Sequence, residues 1–146
     1  PVWQTLKQLQ AQYKLVIVEA LGGLGSPVTE ELVVADLARD WGLPVVLVVP
    51  VRLGAIASAV ANIALARACK LDIKGIILNC VQPVTREEIA TWTPTYLVQS
   101  LTQVPVLGIV PYLENPYDDR EKLAQIASNL ELSFLISQTM SQSKTH

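Results

Sequence analysis

VVLVVPVRLGAIASAVANIALARACK, Val45 to Lys70, is the stretch that decides how this chain is read. Its first five residues, Val45 to Val49, are all Val or Leu with no polar alternation, which suits a strand covered on both faces. Past Pro50, Arg52 and Gly54 the period changes. Ile56, Val60 and Ile63 recur at spacings of four and three, so Ala55 to Lys70 reads as a helix. A buried strand feeding a helix through a short loop is half of a β-α-β unit.

The same alternation runs outward in both directions. Leu15 to Val18, Gly75 to Leu78 and Val106 to Val110 are further short apolar runs, and Glu30 to Trp41 and Thr85 to Leu101 are further helical patterns. Thr29 before Glu30 and Glu31 places a capping hydroxyl and two carboxylates at a helix start, and Gly42 and Pro44 close that helix. Pro94 should end or kink the third helix, and Glu121 to Leu130 adds a last one over the sheet edge. Strands alternating with helices imply right-handed crossovers, hence an α/β fold: a three-layer parallel sheet with helices on both faces. In such sheets ligands bind at the carboxyl ends of the strands.

Composition narrows the function. At 146 residues and 51% hydrophobic, with 16% charged, residues 1–146 read as a single globular domain, with a polar tail at 137–146 expected to fray. The net charge of -2, with Lys and Arg scattered singly, gives no basic stripe for a nucleic acid. No apolar run reaches the about 18 residues of a membrane span, so no membrane partner is expected. Cys69 and Cys80 lie at no metal-ligand spacing and read as reduced, buried thiols, which fits a cytoplasmic protein. The only histidine is His146, which excludes internal His triads and His metal clusters. With Pro1 first and Met140 the single methionine, the chain reads as a piece of something longer.

Four candidate positions follow the four apolar runs. Glu19 ends the first, where a carboxylate can hold Mg2+, and Gly22 and Gly23 let backbone N–H groups approach phosphate or carboxylate oxygens; a tight turn with a solvated Glu has the same pattern. Gly54 precedes a helix whose first free N–H groups, around Ala55 to Ala57, can bind an anion, although a plain N-terminal turn looks alike. Arg52 adds charge there or lies on the surface. Asn79 offers a carboxamide with the donors and acceptors to read a purine edge, and is equally a routine turn residue. Pro111 fixes a bend after the last run, where Tyr112 and Leu113 offer either an apolar wall for a flat ring or simple packing.

Taken together and in this order, the four stretches resemble the dethiobiotin synthetases, ATP-dependent enzymes of biotin synthesis with a P-loop NTPase-like fold. The family run Glu-Gly-Ala-Gly-Gly followed by a proline is matched by Glu19-Ala20-Leu21-Gly22-Gly23 and Pro27. TEELVVADLARDWGLPVVLVV and RLGAI match the segment that follows, LNCV the adenine-binding Asn, and GIVPYL the late nucleotide-binding turn. The resemblance implies a ligase that joins carbon dioxide to 7,8-diaminopelargonate, phosphorylates the carbamate with Mg-ATP and closes a cyclic urea. Carried over by position, it implies Glu19 as a Mg2+ ligand and Ala20, Leu21 and Gly22 along the nucleotide phosphates. Asn79 and Cys80 would contact adenine, with Pro111, Tyr112 and Leu113 over the base. Gly54, Ala55, Ile56 and Ala57 would hold the substrate carboxylate across the subunit boundary of a homodimer.

Nothing in the chain matches G-x-x-x-x-G-K-[ST], the loop that cradles ATP phosphates. In the family that loop lies upstream, with further lysines and a metal-binding Asp. The resemblance therefore implies a C-terminal part whose N-terminal strand and P-loop are missing, inactive alone and with no catalytic side chain assigned within it. Two alternatives share the pattern: another P-loop-class ATP-dependent synthase or partitioning-type ATPase, and a nucleotide-binding or dimerisation module without catalysis.

Overall fold

The Val45 run is a strand, and the chain that follows it alternates as its pattern requires. A computed structural model describes residues 2–116 and 119–133, so the tail expected to fray at 137–146 lies outside the described residues. In chain order the elements are α1 (Val2–Gln12), α2 (Val34–Asp40), β1 (Val45–Pro50), α3 (Ala55–Ala68), β2 (Ile73–Asn79), α4 (Arg86–Trp92), α5 (Thr95–Thr102), β3 (Val106–Val110) and α6 (Arg120–Ser128). The residues group into two compact units, one holding residues 2–21 with 132 and 133, the other holding the described residues of Gly22–Glu131.

In the first unit, α1 is an element that the sequence reading did not place. It buries Leu6, and Lys7 Nζ lies 4.4 Å from the centroid of the Trp3 ring one turn away, a cation–π pair along the helix face. The strand expected at Leu15 to Val18 does not form: these residues carry no strand assignment, and Ile17 is 83% exposed. An apolar, β-branched run has only a preference for extended backbone, and a strand exists where a neighbour completes its ladder. Among the described residues Leu15 to Val18 has no such ladder.

The second unit carries the sheet. Its three strands are all parallel in the order β1-β2-β3. Leu47, Val49, Ile76 and Leu78 pack on Ala55, Ala59 and Ile63 of α3 and Val98 of α5. The crossovers β1 to β2 and β2 to β3 progress in one direction, so a shared hand puts their helices on the same side. α3 and α5 do touch, and an Arg67 Nη2 hydrogen bond to the Thr102 carbonyl joins their ends. A second cluster of Leu24, Ala35 and Ala66 seats α2 against the far end of α3. Beyond α6, the Glu131 N–H donates to the Leu107 carbonyl at 2.8 Å along the edge of β3.

One helix start differs from the expected one, and the break expected at Pro94 is found. The helix expected at Glu30 starts at Val34, because the Thr29 hydroxyl accepts from the N–H groups of Glu31 and Leu32 and closes a turn there instead. Asp36 then accepts from the Val33 N–H at 3.1 Å and serves the real helix start. The pattern from Thr85 to Leu101 is two helices, broken at Thr93 and Pro94 as proline requires. Thr85 caps the first with a full box: its hydroxyl accepts from the Glu88 N–H at 3.1 Å, and its own N–H donates to Glu88 Oε2 at 2.7 Å.

Candidate functional site

Strand register places one of the expected positions, Asn79, in the last row of the sheet, with two of the others, Gly54 and Pro111, following the neighbouring strands in the chain. Pro50, Asn79 and Val110 pair across the sheet as its last row at the carboxyl ends. The ladder continues past that row. The Val51 N–H donates to the Asn79 carbonyl at 2.8 Å, and the Cys80 N–H donates to the Val110 carbonyl at 2.9 Å. The backbone of Asn79 is thus held from both sides, while its half-buried carboxamide makes no hydrogen bond to any described residue. That leaves two donors and an acceptor free at a fixed point of a parallel sheet's ligand edge.

Cys80, the next residue, turns the other way. It is 4% exposed among the core residues, and burial pushes its thiol pKa up from the ordinary range. Any contact Cys80 makes at the edge is therefore through its backbone. After β3, Pro111 and Tyr112 are exposed and Leu113 is half-buried, so a tyrosine ring stands at the same edge.

Gly54 turns the chain from β1 into α3. Its φ of +83° is left-handed backbone that a side chain would strain. The Ala55 N–H is used by the Arg52 carbonyl at 3.1 Å, and the first regular bond of the helix runs from the Ser58 N–H to the Gly54 carbonyl at 3.1 Å. The N–H groups of Ile56 and Ala57 remain without a hydrogen-bond partner among the described residues, at the positive end of a 14-residue helix. The Arg52 side chain is exposed and makes no ion pair among the described residues.

Glu19, Ala20 and Leu21 belong to the first unit, and Gly22 begins the second. Glu19 is exposed, and its carboxylate has no hydrogen bond or ion pair among the described residues. Leu21 is 92% exposed. Gly22 has a φ of +80°, and the backbone at Gly23 lies against Asn62 of α3: a Cβ on Gly23 would sit 2.8 Å from Asn62 Oδ1. Sequence reasoning missed Asn62. Its one visible signal is a carboxamide amid the alanines, valine and isoleucine of an apolar helix.

Among the described residues no group of three or more His, Cys, Asp or Glu is placed to hold a metal ion. A lone free carboxylate such as Glu19 nevertheless fits Mg2+, which is commonly held through one or two carboxylates plus substrate phosphates and water.

A family model described as "AAA domain" matches residues 2–118. Among curated proteins, the ATP-dependent dethiobiotin synthetase BioD of Gloeothece citriformis is 59% identical over 135 residues, covering 92% of this chain and 59% of the relative. The protein of the same name from Crocosphaera subtropica is 60% identical over 92% of this chain and 60% of its own length. That of Synechocystis sp. is 47% identical over 92% and 57%. The chain thus spans about three-fifths of the length of these relatives.

Proposed function

The chain belongs to the AAA domain family, and from that premise we propose that it forms the nucleotide-reading part of an ATP- and Mg2+-dependent ligase. The ligase joins carbon dioxide to 7,8-diaminopelargonate and closes the cyclic urea of dethiobiotin. One observation carries the reading most directly. In a chain 59% identical to a dethiobiotin synthetase, the residue at the middle of the sheet's carboxyl edge is Asn79, whose carboxamide makes no hydrogen bond among the described residues. The expected similarity to dethiobiotin synthetases is found, at 47–60% identity in these relatives.

The roles follow from what each group has free. Asn79 pairs with the edge of adenine, and Tyr112 with Pro111 and Leu113 covers the ring by apolar contact. Ala20 to Gly22 run beside the phosphates, and Glu19 holds the metal. Mg2+, when bound, supplies positive charge among the phosphate oxygens as charge develops during transfer. Gly54 and Ala55 set the start of α3, and the free N–H groups of Ile56 and Ala57 receive the substrate carboxylate. In the proposed assembly they do so across the boundary of a homodimer.

The chemistry asks for little covalent work by side chains. A carbamate oxygen attacks the γ-phosphorus and ADP leaves; the second amine then attacks the carbamate carbon and phosphate leaves. Each step is accelerated by placing reactants in line and stabilising charge, which amides and a metal do without a histidine. The phosphate-cradling lysine loop is supplied by sequence outside residues 1–146, and the complete ligase works in the cytoplasm. No helix among the described residues is long and apolar enough to cross a membrane.

The test is to incubate the full-length protein with diaminopelargonate, bicarbonate and Mg-ATP. One dethiobiotin per ADP is the expected result. ATP turnover with another acid or amide acceptor in place of diaminopelargonate would move the assignment to a different ligase. Nucleotide binding with no turnover of any acceptor would leave a binding module.

A further inference from the structure

Asn62 is committed at both ends of its carboxamide. Its Oδ1 accepts from the Leu24 N–H at 2.9 Å, and its Nδ2 donates to the Ser58 carbonyl one turn back on α3, also at 2.9 Å. The second bond fixes which end of the amide faces the loop. With Nδ2 turned to Ser58, the oxygen meets the Leu24 N–H. The loop comes so close that a Cβ at Gly23 would stand 2.8 Å from that oxygen, tighter than real side-chain contacts allow. The rest of the loop is tied down too: the Ser26 N–H donates to the Gly23 carbonyl, the Ala35 N–H to the Leu24 carbonyl, and the Leu24 side chain is buried with Ala35 and Ala66.

We propose that Asn62 is a positioning residue, which clamps the Gly22-Gly23 turn onto α3 so that the phosphate-facing loop and the anion-binding start of α3 ride on one rigid element. The link is short: the carbonyl that orients Asn62 belongs to Ser58, the residue after Ala57. Asn62 touches no reactant itself. It acts on the nucleotide through Gly22 and Gly23, and the proposal therefore rests on reading Gly22 as a phosphate-lining residue.

A double-mutant cycle of Asn62→Ala and Gly23→Ala in the full-length protein tests this, with dethiobiotin formation and melting temperature both recorded. Each single variant is expected to raise the KM for ATP about tenfold, the scale of one lost hydrogen bond, with kcat changed less. In the Asn62→Ala background the Gly23→Ala change is expected to add less than about threefold, because the atom its Cβ would strike is gone. Multiplicative effects, or a lowered melting temperature with the KM for ATP unchanged, overturn the clamp. Should Asn62→Ala not fold, Asn62→Asp retains an acceptor for the Leu24 N–H and is expected to hold the KM for ATP below that of Gly23→Ala; a KM equal to or above it overturns the proposal. An active wild type with additive variants sinks the clamp alone, whereas a wild type that forms no dethiobiotin sinks the ligase reading and the clamp with it.

Discussion

Asn79 and Cys80 sit side by side at the end of β2, one with its polar group unbonded among the described residues and the other with its thiol in the core. Because the Asn79 carboxamide makes no hydrogen bond among the described residues, Asn79→Ala is expected to leave the melting temperature nearly unchanged. In the full-length protein it should raise the KM for ATP by about 10- to 100-fold and narrow the preference for ATP over GTP. A large loss of stability with nucleotide preference intact would make Asn79 a turn residue. Cys80 gives a pH signature of known sign. Its folded pKa is raised by burial, so the fold holds the thiol proton more tightly than the unfolded chain does. Stability is therefore expected to be full below the thiol's ordinary range and to fall as pH rises through it. Denaturant midpoints across that range should show the decline, and Cys80→Ala should remove it. At this scale the sequence marked Asn79 and Gly54 as candidates because one ends a strand and the other starts the helix after a strand. It could not reveal Asn62, whose partner Leu24 is 38 residues away and is brought near only by the packing of the loop on α3.

Single elements show where local pattern suffices and where it fails. The Thr85 box was decided within four residues, and it formed. Thr85→Ala should cost about 1 kcal/mol of stability, as loss of a helix cap does, measured as a shift in denaturant midpoint. Thr29 has the same kind of sequence but caps only a turn, so Thr29→Ala should leave the helical signal of α2 unchanged. The choice between them depended on Pro27 bridging to Val33, a pairing that no cap pattern encodes. Gly54→Ala should cost about 1 kcal/mol through its left-handed φ alone, since nothing stands within 4 Å of where its Cβ would lie. The runs at Val45, Gly75 and Val106 became strands because each found a parallel neighbour, and Leu15 to Val18 did not among the described residues.

At the scale of the whole molecule, the order of strands and helices was legible because each buried strand is a short aliphatic run and each crossover a longer helical one. Parallel pairing then gathers every strand's carboxyl end on one side, so residues 31 positions apart, Asn79 and Val110, become neighbours in one row. Glu19 was marked by its place after an apolar run, whereas Ala20 and Leu21 were marked only by their likeness to a family run, and all three lie in the other compact unit. What the assembled edge is proposed to do is align a carbamate with the γ-phosphate of ATP, and that claim can be followed atom by atom. The most direct measurement supplies the full-length protein with diaminopelargonate, Mg-ATP and bicarbonate labelled with heavy oxygen, and reads the phosphate released by mass spectrometry. The expected result is one labelled oxygen per phosphate, formed together with dethiobiotin, because the attacking oxygen came from bicarbonate. Unlabelled phosphate, with ATP consumed, would mean that water and not a carbamate meets the γ-phosphorus, and would contradict the ligase reading.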